Sequence, residues 1–144
     1  MKKQFILLKL VVLTLVLSTS CSSDDDGITN ESRRLFGTWE LQSITQNNQN
    51  IPIEDIPCED RRGFTFRSDF TFTETTFAEE GDDCVSAASF SGVWQNIEDG
   101  TLNFRRTGQT EFQTLVIGFR TLGSAELFDV TESPNRILTY AKIN

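Results

Sequence analysis

Histidine is missing from the 144-residue chain. Without an imidazole there is no Ser-His-Asp triad, no Cys-His nucleophile and no histidine metal ligand. Lysine is nearly as scarce, and Lys2, Lys3 and Lys9 all stand in the first ten residues. No glycine-rich loop ends in a lysine, which removes the phosphate cradle of nucleotide hydrolases. Basic charge as a whole is short: 13 Lys and Arg face 21 Asp and Glu, for a formal net charge of −8. Nucleic acid and anionic lipid both need a basic face, so neither is expected as an electrostatic partner. Acidic side chains are plentiful, in Glu54-Asp55, Glu59-Asp60 and Glu79-Glu80-Gly81-Asp82-Asp83. Their spacing matches no calcium loop, so no metal and no cofactor are expected. Paired carboxylates for glycoside hydrolysis would need a set separation inside a cleft, which a sequence alone does not show. No catalytic residue emerges, and the chain is read as a non-enzyme.

Long apolar runs are also lacking, apart from one near the start. Lys2 and Lys3 precede Ile6 to Leu17, which is apolar except for Lys9 and Thr14. Those twelve residues reach about 18 Å as a helix, short of the roughly 30 Å hydrocarbon core. The pattern is that of a signal peptide over residues 1–20. Leu17-Ser18-Thr19-Ser20-Cys21 resembles a bacterial lipobox, with Ser18 where that motif usually has Leu. The resemblance implies that Cys21 is lipidated and becomes the mature N-terminus. Two acyl chains make a stable anchor where one is marginal. With Cys21 assigned to lipid, Cys58 and Cys84 remain as a pair, in an oxidising compartment that permits a disulfide.

The residues after Cys21 are Ser22-Ser23-Asp24-Asp25-Asp26. They resemble the export signal of Bacteroidota surface lipoproteins, which implies an outer-membrane protein displayed on the cell surface. The other reading is a solvated acidic tether on a protein that faces the periplasm. Loss of residues 1–20 takes away three lysines and moves the net charge from −8 to −11. The lipid, not the protein surface, would then hold the chain to the membrane. Residues 21–32 are small and polar and read as a flexible linker. Residues 33–144 suit one domain.

Within that domain there is no sustained helical spacing of apolar residues. Short runs with a period of two take its place: 36–45, 63–67, 70–77, 89–97, 101–107, 111–120, 125–131 and 136–143. These eight runs have connections short enough for antiparallel neighbours, except for one long loop over 46–62. A short helical turn could precede the first run. Eight antiparallel strands in meander order predict an all-β, up-and-down barrel with room for one small ligand. Phe64 and Phe66 share one face, as do Leu102 and Phe104, Phe90, Gly92 and Trp94, and Leu115, Ile117 and Phe119. A Cys58–Cys84 bridge would close the open end of the 64–77 hairpin.

Leu35-Phe36-Gly37-Thr38-Trp39-Glu40-Leu41 resembles the opening of bacterial lipocalin-like lipoprotein domains. Phe64-Thr65-Phe66-Arg67-Ser68-Asp69-Phe70-Thr71-Phe72-Thr73 is similar to their second hairpin, and Gly92-Val93-Trp94 and Tyr140-Ala141-Lys142 to later strands. The resemblance covers about residues 34 to 143. It implies that Gly37 and Trp39 sit at the closed base, with Arg120 or Arg136 as a cation–π partner. It further implies a small hydrophobic or amphipathic ligand, for which Phe64, Phe66, Phe72, Trp94, Phe104 and Phe119 are the candidate lining. The alternative is a packed barrel that acts through its loops on another protein. Where the family's hairpin has glycine, this chain has Phe70. A left-handed conformation is costly for a bulky residue, so either a different turn or an exposed Phe70 is expected there.

Overall fold

A computed structural model describes residues 27–121, 123–129 and 136–143. The signal peptide over 1–20, Cys21, and the run Ser22, Ser23, Asp24, Asp25 and Asp26 lie outside the described residues. A short helix α1 (Asn30–Leu35) leads into β1 (Gly37–Gln46), β2 (Gln49–Pro52), β3 (Arg62–Phe66), β4 (Thr71–Glu80) and β5 (Asp83–Trp94). After these come β6 (Thr101–Arg106), β7 (Gln113–Thr121), β8 (Ser124–Asp129) and β9 (Arg136–Ile143). All pairings are antiparallel, in the order β2-β1-β3-β4-β5-β6-β7-β8-β9, and β9 returns to pair with β1. The sheet therefore closes on itself, and the all-β antiparallel barrel read from the sequence is the observed fold.

The nine strands among the described residues make an eight-membered ring because β2 and β3 share one edge of β1. Gly37 to Glu40 pair with β3, and Ser43 to Gln46 pair with β2. The stretch 46–62, expected to be a single loop, thus contains a strand followed by two 3-10 turns, Ile53–Asp55 and Cys58–Asp60. Gln49–Pro52 has no alternating apolar residues to announce it. Asn47 and Asn48 fold it back, with φ of 52° and 62°, the conformation of a type I′ hairpin turn.

β5 also begins six residues before the expected Ser89. Its early half, Asp83 to Ser89, is acidic or small, and its pairing with β4 replaces the missing pattern. Cys84 therefore lies inside β5. The Cys58–Cys84 disulfide, with Cα atoms 5.4 Å apart, ties the 3-10 turn just before β3 to β5 beside Glu79 of β4, at the open end of the β3–β4 hairpin. Only Gly92 to Trp94 of β5 pair with β6. Among the described residues, Asp83 to Phe90 have β4 on one side and no strand on the other.

One end of the barrel is plugged. Helix α1 starts at Thr29, whose side chain accepts from the Ser32 amide, satisfying one of the orphan donors of a helix N-terminus. Ser32 is fully buried and its Oγ accepts from the Ile97 amide at 2.7 Å. Residues 29–32, expected in the linker, thus belong to the fold. At the other end of the helix, Trp39 Nε1 donates to the Leu35 carbonyl at 2.6 Å and Lys142 Nζ donates to the Arg34 carbonyl at 3.1 Å. Both satisfy carbonyls that a helix C-terminus leaves open. The Lys142 ammonium stands 5.1 Å from the Trp39 ring. The expected partners were Arg120 or Arg136; Lys142 of the last strand takes the place instead, because β9 pairs Lys142 with Trp39. Arg120 is ion-paired to Glu126 at 2.7 Å.

Phe70 is a second correction. It adopts φ of 61° in the β3–β4 turn, despite its bulk. Its ring is half-buried, 5.0 Å from that of Trp94. The turn is held by Asp69, which accepts from the Thr71 amide and hydroxyl, and by Trp94, which donates to the Phe70, Arg67 and Thr71 carbonyls. These contacts offset the roughly 1–3 kcal/mol that such a backbone costs. Phe70 is therefore neither in a different turn nor an exposed tip.

Candidate functional site

The candidate site lies inside the other end of the barrel, where β3 begins and β6 ends. Period two carries Arg62, Phe64 and Phe66 of β3 on one face. Phe72 and Glu74 of β4, and Leu102, Phe104 and Arg106 of β6, alternate in the same way. The inward faces of three strands thus change from aromatic to charged towards the mouth. Glu74 is only 4% exposed. Arg106 donates to its two oxygens at 2.8 and 2.7 Å, a bidentate pair, and Arg62 stands 3.6 Å away. The Arg106 guanidinium also lies 4.6 Å from the Phe90 ring, so Phe90 caps the pair on the open side. Hydrogen bonding to Glu74 raises the Arg106 pKa above its ordinary value, against an opposing desolvation.

Beneath the pair is Tyr140. Burial pushes its hydroxyl far above the ordinary value of 10.0, with the Glu74 charge adding to the effect. Arg62 is braced by the Glu59 and Arg61 carbonyls, so the 3-10 turn held by Cys58 positions it. Burying a carboxylate costs several kcal/mol unless its charge and lone pairs are met, and here two guanidiniums meet them.

The six aromatic residues expected to line a ligand cavity form, for the most part, a floor. Phe64, Phe66, Phe72, Trp94 and Phe104 are between 0 and 8% exposed. They touch one another, with centroids 5.8 Å apart for Phe64–Phe66, 6.0 Å for Phe66–Phe72, 5.9 Å for Phe66–Trp94 and 5.5 Å for Phe72–Phe104. Such pairs contribute about 0.5–1.5 kcal/mol each beyond area burial. Gly92 makes this packing possible: a Cβ there would stand 2.4 Å from the Phe72 ring and 2.2 Å from the Arg105 carbonyl. Phe119 is apart from the other five. It packs 6.2 Å from Trp39 at the plugged base, with Arg34 4.5 Å over its ring.

The sequence carries a signal for the polar set. A charged residue at an inward position of a period-two run stands out, and Glu74, Arg62 and Arg106 are three of them. What the sequence could not supply was their meeting, since Arg106 and Glu74 are 32 residues apart.

Outside the barrel, a cleft of about 300 Å³ lies between the 53–61 loop and β1, lined by Glu40, Leu41, Ile53, Arg61, Phe77 and Cys84 as well as Arg62. The acidic residues Glu54, Asp55, Glu79 and Asp82 border a second, of about 490 Å³. Among the described residues no group of three or more Cys, Asp or Glu is arranged to hold a metal ion. No described helix is long and apolar enough to cross a membrane. No match to a curated protein was found. The family model of the lipocalin-like domain matches residues 35–122, from the plug helix through β7. With that match over more than half of its length, and a closed antiparallel barrel to carry it, the chain belongs to the lipocalin-like domain family.

Proposed function

We propose that the protein is a lipid-anchored carrier that holds a small amphipathic molecule at the mouth of its barrel. The observation that supports this most is the buried Glu74 carboxylate, turned into the barrel between Arg62 and Arg106. An apolar side chain would fill that position without a desolvation cost. A polar headgroup meets the two guanidiniums and the carboxylate there, and its apolar part rests against Phe90 and the aromatic floor. Of the aromatic residues expected as lining, Phe64 and Phe104 stand nearest this place. The mutual packing of the floor favours a second reading, in which the interior is filled and the protein acts through its surface. Native mass spectrometry of the exported chain carrying Cys21→Ser separates the two. A bound mass, released on denaturation and absent from the Glu74→Leu, Arg106→Met double variant, is expected of a carrier. A bare wild-type protein favours the filled barrel.

The anchor rests on Cys21 after the apolar run, and the outward placement on Ser22, Ser23, Asp24, Asp25 and Asp26. In this reading the protein belongs to the outer membrane and faces the exterior, with the periplasm as the second placement. Metabolic palmitate labelling lost in Cys21→Ala is the expected result for the anchor. Protease added to intact cells should remove the domain, and changing the three aspartates to alanine should protect it.

A further inference from the structure

The side of β5 that has no partner strand among the described residues is unusually bare. From Cys84 to Gln95 there is no charged residue, although natural sheets commonly guard an open edge with lysine, proline or an inward charge. Ser86, Ala87, Ala88 and Ser89 are all exposed, and their side chains are small enough for another backbone to approach to about 4.8 Å. The edge is interrupted only by the bulge at Ala87, where Thr76 and Phe77 of β4 pair with Ala88 and Ser86.

Charge is placed at the two ends of this edge. At its start, the β4–β5 turn bears Glu79, Glu80, Asp82 and Asp83, all exposed and in no ion pair among the described residues. At its end, where β6 takes over, stands Arg105. It donates to the Thr110 carbonyl at 3.3 Å and covers the Phe112 ring, and no carboxylate pairs with it among the described residues. One edge is thus acidic at one end, neutral in the middle and basic at the other.

From this arrangement we infer that Val85–Phe90 pairs with the same segment of a second copy, antiparallel about a two-fold axis near Ala87 and Ala88. Such an isologous contact is self-complementary. It sets serine and alanine against serine and alanine, and brings the acidic turn of each copy beside Arg105 of the other, twice per dimer. A parallel pairing would set acid against acid. The main-chain bonds of a six-residue strand supply the contact, as in other strand additions. The proposal is independent of any ligand in the barrel.

Sedimentation of the full chain, purified in a uniform non-ionic detergent at up to about 100 μM, tests it. The wild type should sediment as a dimer. Ser89→Lys sets a long charged side chain opposite Ser86 of the other copy, and Arg105→Glu places acid against acid; each should weaken the dimer about tenfold while circular dichroism stays unchanged. Combining Arg105→Glu with Asp83→Arg should restore it. A monomeric wild type, or a dimer indifferent to Ser89→Lys, overturns the inference. Failure of the double charge reversal to restore the dimer overturns the two-fold register.

Discussion

The two ends of this barrel are built from the same strands and differ in almost everything else. At the base, apolar side chains meet a helix. Trp39, Leu35 and Ile97 are each 2% exposed, and the polar atoms present, Trp39 Nε1, Lys142 Nζ and Ser32 Oγ, each satisfy a backbone group. At the mouth, a carboxylate and two guanidiniums face the interior, a disulfide-tied loop braces one of them, and Asp83 to Phe90 of β5 have a strand on one side only among the described residues. The base spends its polar atoms on closing the barrel. The mouth keeps charge where packing does not call for it, which is why the functional reading falls there.

The contrast can be broken first at the base. Trp39→Ala removes the largest fully buried side chain and the cap on Leu35. A loss of about 3–5 kcal/mol in denaturant unfolding is expected. A much smaller loss would mean that α1 is not a structural plug. The next effect belongs to the mouth. Removing the bridge with Cys58→Ser and Cys84→Ser frees a loop closed over 26 residues, for an expected loss of about 3 kcal/mol. The near-ultraviolet signal of Trp39 and Trp94 should persist in that variant at temperatures where it remains folded, since both indoles are held at the other end.

The ion pair sharpens the comparison. Glu74→Ala leaves Arg106 facing the interior without its carboxylate. With the arginine one third exposed, the cost should be about 1–2 kcal/mol. The double change Glu74→Leu, Arg106→Met should restore most of that stability, because apolar pairs of similar volume often replace buried charges without loss. A double variant as unstable as the single one would make the pair a structural element like those at the base. The smallest effect is at the base turn. Hydrogen bonds from Thr71, its side chain first and then its amide, hold the Asp69 pKa below the ordinary 3.8. A depressed carboxyl adds stability above the unfolded value and loses it as the pH falls through the folded one. The difference between wild type and Asp69→Asn should therefore be present at neutral pH and shrink below pH 3.8, as followed by thermal melts.

Much of the base was legible in advance. Gly37-Thr38-Trp39 and the alternating phenylalanines name both the strand and its inner face, because side chains alternate strictly along a strand. Other features at both ends follow from long-range pairing and not from local spacing. Gln49–Pro52 and Asp83–Ser89 form strands without the apolar alternation that marks one, since a long neighbour supplies the hydrogen bonds. Phe70 took the left-handed turn that its bulk argues against, because Trp94 covers it. Lys142 and not an arginine lies over Trp39, a choice made by the β1–β9 register.

By itself, then, the sequence determined the class of the fold, the inward face of most strands, and the absence of histidine chemistry. Those properties follow from local spacing and from composition. Only the tertiary structure decided that Glu74, Arg62 and Arg106 converge, that the aromatic residues pack on one another, and that one edge of β5 has no partner strand among the described residues. Each of these depends on which distant strands align and in what register, and that is settled by the closing of the sheet.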